Sequence, residues 1–143
     1  MQGTVTGTPG TICTTIYALN ILVGFMAPEL LVNYAGGNPE ALVAGHVDYG
    51  DEPFKVDVFG LGVLAAICFT KMNPFESSHG NGRIMSNIQN DVWDKCTGVP
   101  WRSVSSSAKR LVRNMLMHDQ AQRFSIEQVL ANDWLVEHAS AQS

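Results

Sequence analysis

Residues Val56 to Thr70 read VDVFGLGVLAAICFT, and this stretch decides the fold of the chain. Apart from Asp57 near its start, it presents apolar residues or glycine on every face of a helix, and such a helix must be surrounded by protein or lipid. It is shorter than the about 20 apolar residues that span a bilayer. We therefore predict a central core helix, in which Asp57 caps free backbone amides and Cys68 is a small buried apolar residue.

The composition of the chain is globular and poor in charge. Of its 143 residues 45% are hydrophobic and 15% are charged, and the net charge is −4. This length allows one domain with a core, or one half of a larger domain. Because a negative chain offers no electrostatic attraction to nucleic acid or an anionic membrane, we expect neither as a partner.

The cysteines and histidines indicate no metal site. Three cysteines and four histidines occur, and their spacing matches neither a disulfide framework nor a set of metal ligands. The N-terminal sequence also lacks the basic region of a signal peptide. A reducing, cytoplasmic location is therefore the expectation.

Four further segments carry helical signals, so the predicted fold class is mainly α. The clearest is Ser106 to Met117, where apolar residues recur with helical spacing at Ala108, Leu111, Val112, Met115 and Leu116. The other three are a short helix that starts at Pro28-Glu29 and ends by Gly36-Gly37, a helix at Arg83 to Gln89, and a last helix that opens at Ser125.

The last helix has a capping-box pattern, with Ser125 followed three positions later by Gln128. Its inward residues are predicted to be Ile126, Val129 and Leu130. Trp134 and Leu135 are expected to add an apolar cover, and residues 139–143 to form a disordered tail.

The run from Thr11 to Met26, TICTTIYALNILVGFM, is β-branched and aliphatic, and periodicity alone does not fix its type. A buried strand, a core segment and a weak membrane helix all remain open. A membrane-associated helical protein anchored by this run is accordingly one alternative for function.

Six short motifs follow one another in a fixed order along the chain. They are Gly7-Thr8-Pro9, Phe25 to Glu29 (FMAPE), Asp57 to Gly62 (DVFGLG), Asn73-Pro74-Phe75, Asp119 to Arg123 (DQAQR) and Trp134-Leu135. This series resembles the C-terminal lobe of a Ser/Thr protein kinase domain, read from the end of its activation segment, and its last third resembles the calmodulin-dependent and calcium-dependent group. The resemblance implies a helical C-lobe around Val56 to Thr70, with residues 1–138 forming part of a kinase domain.

The resemblance also implies roles for single residues. Gly7, Thr8 and Pro9 correspond to the loop that receives the residue after the phosphoacceptor, and Thr4 lies where some kinases carry an activating phosphate. The matches with implied structural roles are Ala27, Pro28, Glu29, Asp57, Gly62 and Arg123. Among these, Glu29 and Arg123 correspond to a buried ion pair, and Asp57 to the aspartate that bonds the catalytic-loop backbone.

The sequence departs from the kinase pattern in what it lacks. A Gly-rich loop, a strand lysine, an Arg-Asp catalytic loop and an Asp-Phe-Gly metal ligand precede these motifs in the family, and the 143 residues contain none of them. ATP and magnesium are expected for the parent family, but we predict no catalytic residue, no bound cofactor and no kinase activity for this chain alone.

A second departure is the run from Thr11 to Gly24. Without it the sequence reads Gly-Thr-Pro-Gly-Phe-Met-Ala-Pro-Glu, close to the family pattern. We therefore expect an aberrant insertion, from a retained intron or a faulty gene model, or alternatively a lineage-specific one.

Two interpretations of function follow. The first is the substrate-side platform of a Ser/Thr kinase truncated at its N-terminus, with a protein substrate or the missing N-terminal lobe as partner. The second is a non-catalytic, pseudokinase-like interaction module. A module should be monomeric and fold cooperatively by itself, whereas a fragment should expose an apolar face and aggregate.

Overall fold

The computed structural model of the chain describes residues 23–34, 49–92 and 99–141. The regular structure of these residues is entirely helical, and they contain no strand, so the predicted mainly α class is confirmed. The helices are α1 (Pro28–Tyr34), α2 (Lys55–Thr70), α3 (Asn81–Gln89), α4 (Val99–Ser103), α5 (Ser106–Met115), α6 (Ile126–Leu130) and α7 (Asp133–Ser140). Within these ranges no helix is both long enough and apolar enough to cross a membrane.

Helix α2 is the predicted central helix, and it begins one residue earlier than expected, at Lys55. It packs against α4 and α5. Phe59 and Val63 are among its fully buried residues. The helix ends where Lys71 adopts a left-handed conformation with φ 63° and donates its backbone N–H to the Ile67 carbonyl at 2.7 Å.

One face of α2 is not covered by any residue that the structure describes. Its exposed residues are Asp57, Leu61, Leu64 and Cys68, which follow one another at intervals of four, three and four and so form a single line along the helix. We call this line the open stripe. The predicted burial of Cys68 is therefore wrong. Because every face of α2 is apolar, the sequence does not reveal which face lies outward.

The segment after α2, which contains the Asn73-Pro74-Phe75 motif, folds back onto this helix. The Phe75 ring stacks on the Phe59 ring, with centroids 5.6 Å apart. Asn73 orders the turn because its Oδ1 accepts the Phe75 backbone N–H at 2.9 Å. From α3, the Asn87 amide donates to the Phe75 carbonyl at 3.2 Å, which fixes α3 against this turn.

Helix α5 carries its apolar face as predicted. Ser105 caps its first turn, since its hydroxyl accepts the Ala108 backbone N–H at 3.2 Å. All five residues that define the predicted inner face are buried, namely Ala108, Leu111, Val112, Met115 and Leu116.

The last part of the chain forms two short helices. The predicted capping box of Ser125 and Gln128 is confirmed at the start of α6. Of the three residues expected to point inward from this helix, only Val129 is buried, whereas Ile126 and Leu130 are 40% and 66% exposed. Val129 packs with Val58, Leu111 and Met115, whereas Ile126 and Leu130 do not join this cluster. Helix α7 then runs to Ser140, two residues into the stretch predicted as a tail.

Gly62 allows α2 and α5 to approach closely. A Cβ at this position would lie 2.9 Å from the Met115 Cβ and 3.0 Å from the Leu116 Cδ2. We expect Gly62→Ala to lower the free energy of unfolding by about 1–2 kcal/mol, since overpacking outweighs the gain in helix propensity. Denaturant unfolding measures this change. Gly82→Ala in α3 is the control, because nothing lies within 4 Å of its Cβ position, and it should be neutral or stabilising. Equal effects of the two substitutions would contradict this account.

Candidate functional site

The predicted ion pair between Glu29 and Arg123 is present and is bidentate. Arg123 Nη1 donates to Glu29 Oε1 at 2.6 Å, and Nη2 donates to Oε2 at 2.9 Å. Arg123 is 1% exposed, and the Glu29 side chain is 17% exposed. A planar guanidinium matches a carboxylate in this fork geometry, so the pair fixes orientation as well as charge.

The remaining donors of Arg123 bind backbone carbonyls on two other parts of the chain. Nη1 also donates to the Lys55 carbonyl at 2.9 Å, at the start of α2. Nε donates to the Met117 carbonyl at 2.9 Å, and Nη2 to the His118 carbonyl at 3.3 Å. The guanidinium carbon lies 5.1 Å from the centroid of the Phe59 ring. One side chain thus joins α1, α2 and the connection that follows α5.

A second layer of polar contacts surrounds this pair. The Gln120 amide donates to Glu29 Oε1 at 3.1 Å and to the Tyr49 carbonyl at 2.8 Å, and its Oε1 accepts the Glu52 N–H at 3.2 Å. Lys55 Nζ binds Glu52 Oε2 at 2.7 Å and the Gln120 carbonyl at 3.2 Å. The layer ties residues 49–55 to the connection between α5 and α6.

Sequence reasoning assigned no role to Lys55 or Gln120. For Lys55 a signal existed, because a cation in the first turn of a helix is disfavoured by the helix dipole and implies a specific partner. Gln120 lies within the DQAQR motif, but its spacing to Glu29 and Tyr49 is visible only in the fold.

The segment from Val23 to Glu29, which we call the anchor segment, is held at both ends. At its start Val23 is buried in the core, and the Gly24 carbonyl accepts the Asn73 amide at 3.1 Å. At its end Glu29 binds Arg123. Ala27 lies between them and is fully buried. Val23 and Gly24, the last two residues of the predicted insertion, are therefore part of the packed structure.

Of the other predicted site residues, some lie within the described part of the chain and some lie outside it. Gly62 lies at the contact of α2 with α5, as described above. Asp57 is exposed, and in the described part of the chain its side chain has no hydrogen bond, so the predicted capping of α2 by Asp57 is wrong. Turns connect residues 52–56 instead, with the Lys55 N–H donating to the Glu52 carbonyl at 2.9 Å. The loop of Gly7, Thr8 and Pro9 lies outside the described residues, as does Thr4.

The described residues do not form a magnesium site. Across residues 23–34, 49–92 and 99–141, no three His, Cys, Asp or Glu side chains come together in a way that could hold a metal ion. Magnesium and nucleotide need oxygen ligands arranged around the phosphates. We therefore assign no step through ATP or magnesium to these residues.

The contacts of the site lower the pKa of Glu29. Burial by itself raises this pKa, but the hydrogen bonds from Arg123, from its own backbone and from Gln120, with the charge of Arg123, outweigh burial and hold it below the ordinary 4.5. The pKa of Glu29 is lower in the folded state than in the unfolded state, so its contribution to stability is fully present at pH values above the unfolded-state pKa. This contribution is lost as the pH falls through the folded-state pKa.

We therefore expect the free energy of unfolding to decrease as the pH is lowered below about 4.5, and Glu29→Gln to remove part of this decrease. Glutamine has a similar shape but cannot be ionised. Denaturant unfolding of both proteins at a series of pH values measures the slopes. Identical acid slopes for wild type and variant would show that Glu29 is not among the groups responsible.

Comparison with known proteins places these features in a family. The family model for the protein kinase domain matches residues 14–135. Calcium-dependent protein kinase 28 of Oryza sativa subsp. japonica is 35% identical over 117 residues, which cover 82% of this chain and 19% of that protein. Myosin light chain kinase 2, skeletal/cardiac muscle, of Mus musculus is 34% identical over 109 residues, covering 75% of this chain and 17% of that protein.

The structural comparison agrees with the sequence comparison. The twitchin kinase region from C. elegans matches with a TM-score of 0.60 and 25% identity, over 80% of this chain and 17% of that one. The chain thus spans less than a fifth of each of these relatives, and the match is to the helical C-terminal lobe. With the ordered motifs and the Glu29–Arg123 pair, these matches show that the chain belongs to the protein kinase domain family.

Proposed function

We propose that this chain is the substrate-side platform of a Ser/Thr protein kinase. The observation that carries the proposal is the buried, bidentate pair of Glu29 and Arg123, which holds the end of the anchor segment against the core. Phosphoryl transfer depends almost wholly on positioning, so a substrate loop is useful only on a rigid base. The network around Arg123 supplies such a base for the residues that precede α1.

In the parent protein, ATP and magnesium would bind residues that this sequence does not contain, and the substrate would be a protein hydroxyl. We assign Gly7, Thr8 and Pro9 to the loop that contacts the residue after the acceptor, and Thr4 to an activating phosphorylation site. The N-terminal lobe and the protein substrate would be the partners, in a cytoplasmic setting. The order of motifs and the kinase relatives support these assignments.

The chain alone is expected not to transfer phosphate, because its sequence lacks the lysine and the aspartates that position nucleotide, metal and acceptor. Incubation of the pure chain with labelled ATP, magnesium and casein tests this. Incorporation above a sample without the chain would refute the proposed inactivity.

A chimera tests the platform itself. Residues 25–135 would replace the corresponding segment of an active calcium-dependent kinase, and the chimera should phosphorylate a peptide substrate. The same chimera with Arg123→Ala should lose most of this activity, while Arg110→Ala, on the exposed face of α5, should retain it. A folded but inactive chimera would contradict the platform proposal.

The non-catalytic interaction module remains the second candidate. It is favoured by one observation, that the polar network around Arg123 is complete although the sequence contains no catalytic motif. An inactive chimera, combined with cooperative unfolding of the isolated monomeric chain, is the result that this candidate requires.

A further inference from the structure

A groove lies between the segment that precedes α2 and the start of α6. Residues 51–55 form one wall, Ser125, Ile126 and Glu127 form the other, and its volume is about 570 Å³. This volume lies within the range of about 300–1,000 Å³ that is typical of binding clefts. We call it the Phe54 groove. Neither the Glu29–Arg123 pair nor any residue of the open stripe lines it, so the platform makes no use of it.

The lining of the Phe54 groove is mostly apolar. Phe54 is 82% exposed, more than any other large apolar residue in the described part of the chain. On the opposite wall Ile126 is 40% exposed, and Leu130, one turn further along α6, is 66% exposed. An exposed apolar patch that is bordered by polar residues is typical of an interaction site.

The groove also carries a negative charge. Asp51, Glu52 and Glu127 line it, and Lys55 is the one basic residue among its described lining residues. The Lys55 ammonium is used up, because Nζ donates to Glu52 Oε2 at 2.7 Å and to the Gln120 and Ala121 carbonyls at 3.2 and 3.3 Å. Asp51 and Glu127 are exposed, and neither forms an ion pair with a described residue.

The two walls are fixed relative to each other by contacts within the chain. Lys55 and the Glu52 N–H, which donates to Gln120 Oε1 at 3.2 Å, join the segment before α2 to the connection that leads to α6. The capping box of Ser125 and Gln128 orders the first turn of α6. A surface that is ordered in advance loses less conformational entropy when a partner binds.

We propose that the Phe54 groove binds a basic segment of a protein partner, in which arginine lies next to aliphatic residues. A guanidinium can stack on the exposed Phe54 ring, and the carboxylates of Asp51 and Glu127 attract it to this place. A neighbouring aliphatic side chain would pack against Ile126 and Leu130. The proposal is independent of the platform function.

Charge complementarity favours such a partner over the chain itself. Residues 1–22 contain no charged side chain, and residues 35–48 contain Glu40 and Asp48 but no lysine or arginine. Neither segment supplies the positive charge that the groove attracts. A second copy, with a net charge of −4, is repelled overall, and the phosphates of nucleic acid and anionic lipid have the wrong sign as well.

Fluorescence anisotropy of a labelled peptide with alternating arginine and leucine residues, titrated with the full chain, tests the proposal. We expect saturable binding, which Phe54→Ala should weaken about tenfold and Glu127→Lys about fivefold or more. The controls Met72→Ala and Glu137→Lys remove an exposed apolar residue and reverse an exposed charge outside the groove, and should leave the affinity within about twofold. No saturable binding, or equal effects of groove and control substitutions, would overturn the proposal.

Photo-cross-linking locates the peptide without any variant of the chain. The same peptide with a benzophenone side chain in place of one leucine should attach to residues 51–55 or 125–130, as identified by peptide mass mapping. Attachment elsewhere would contradict the proposal. Binding that appears only after deletion of residues 35–48 would assign the groove to the chain's own segment, and self-association that Glu127→Lys weakens would assign it to a second copy. Either result would also overturn the proposal.

Discussion

Arg123→Ala is expected to lower the free energy of unfolding by about 3–5 kcal/mol. The substitution leaves the carboxylate of Glu29, which is largely buried, without its bidentate partner. It also removes the donors that the carbonyls of Lys55, Met117 and His118 accept. Buried acceptors that lose their donor bear a desolvation cost, so the loss should exceed that of a surface ion pair several-fold.

Denaturant unfolding monitored by circular dichroism measures this change. Arg110→Ala is the matched control, since Arg110 is exposed on α5 and its truncation should alter stability by no more than about 0.5 kcal/mol. Arg123→Lys adds a finer test, because lysine keeps the charge but cannot form the fork. Stability within 1 kcal/mol of wild type for Arg123→Ala would exclude a structural role for the pair.

Phe75→Ala is expected to lower the free energy of unfolding by a similar amount, about 3–5 kcal/mol. Phe75 is 1% exposed and stacks on Phe59, which in turn lies against the Arg123 guanidinium. Truncation would leave a cavity between α2 and the turn that Asn73 and Asn87 hold in place. Because these hydrogen bonds hold the Phe75 backbone in place, the cavity cannot easily close. We therefore expect a loss of stability towards the upper end of the stated range.

Phe54→Ala provides the matched control for this substitution. Phe54 is 82% exposed immediately before α2, so its removal should change stability by no more than about 0.5 kcal/mol. Thermal and denaturant unfolding of the two variants, side by side, measure the difference. Similar losses at both positions would mean that the aromatic stack contributes nothing specific.

The helices could be predicted where apolar spacing was decisive. Helix α5 has one apolar face and one charged face, so its inner residues followed directly from the pattern. Helix α2 could be located by its composition alone, but not oriented. Leu61, Leu64 and Cys68 are as apolar as the buried Val63, and only the three-dimensional arrangement separates the exposed set from the buried one.

The candidate site, like the helices, could be predicted only in part from the sequence. Glu29 and Arg123 could be matched through the resemblance to kinases, because each lies in a recognisable motif. The carbonyls that Arg123 binds are backbone atoms, and nothing in the local sequence marks a carbonyl as an acceptor. The short α4 was missed as well, since Val99–Ser103 is too brief to show a period, although Pro100 near its start is typical of a first helical turn.

The ion pair joins residues that are 94 positions apart in the chain. At ribosomal rates of about 5–20 residues per second, Glu29 is made about 5–20 seconds before Arg123. During this interval the anchor segment cannot be fixed, and its apolar residues remain accessible to other proteins in the cell. Packing of the anchor segment is therefore expected to be completed only after Arg123 has been synthesised, and until then the nascent chain is a natural client for a chaperone that binds apolar segments.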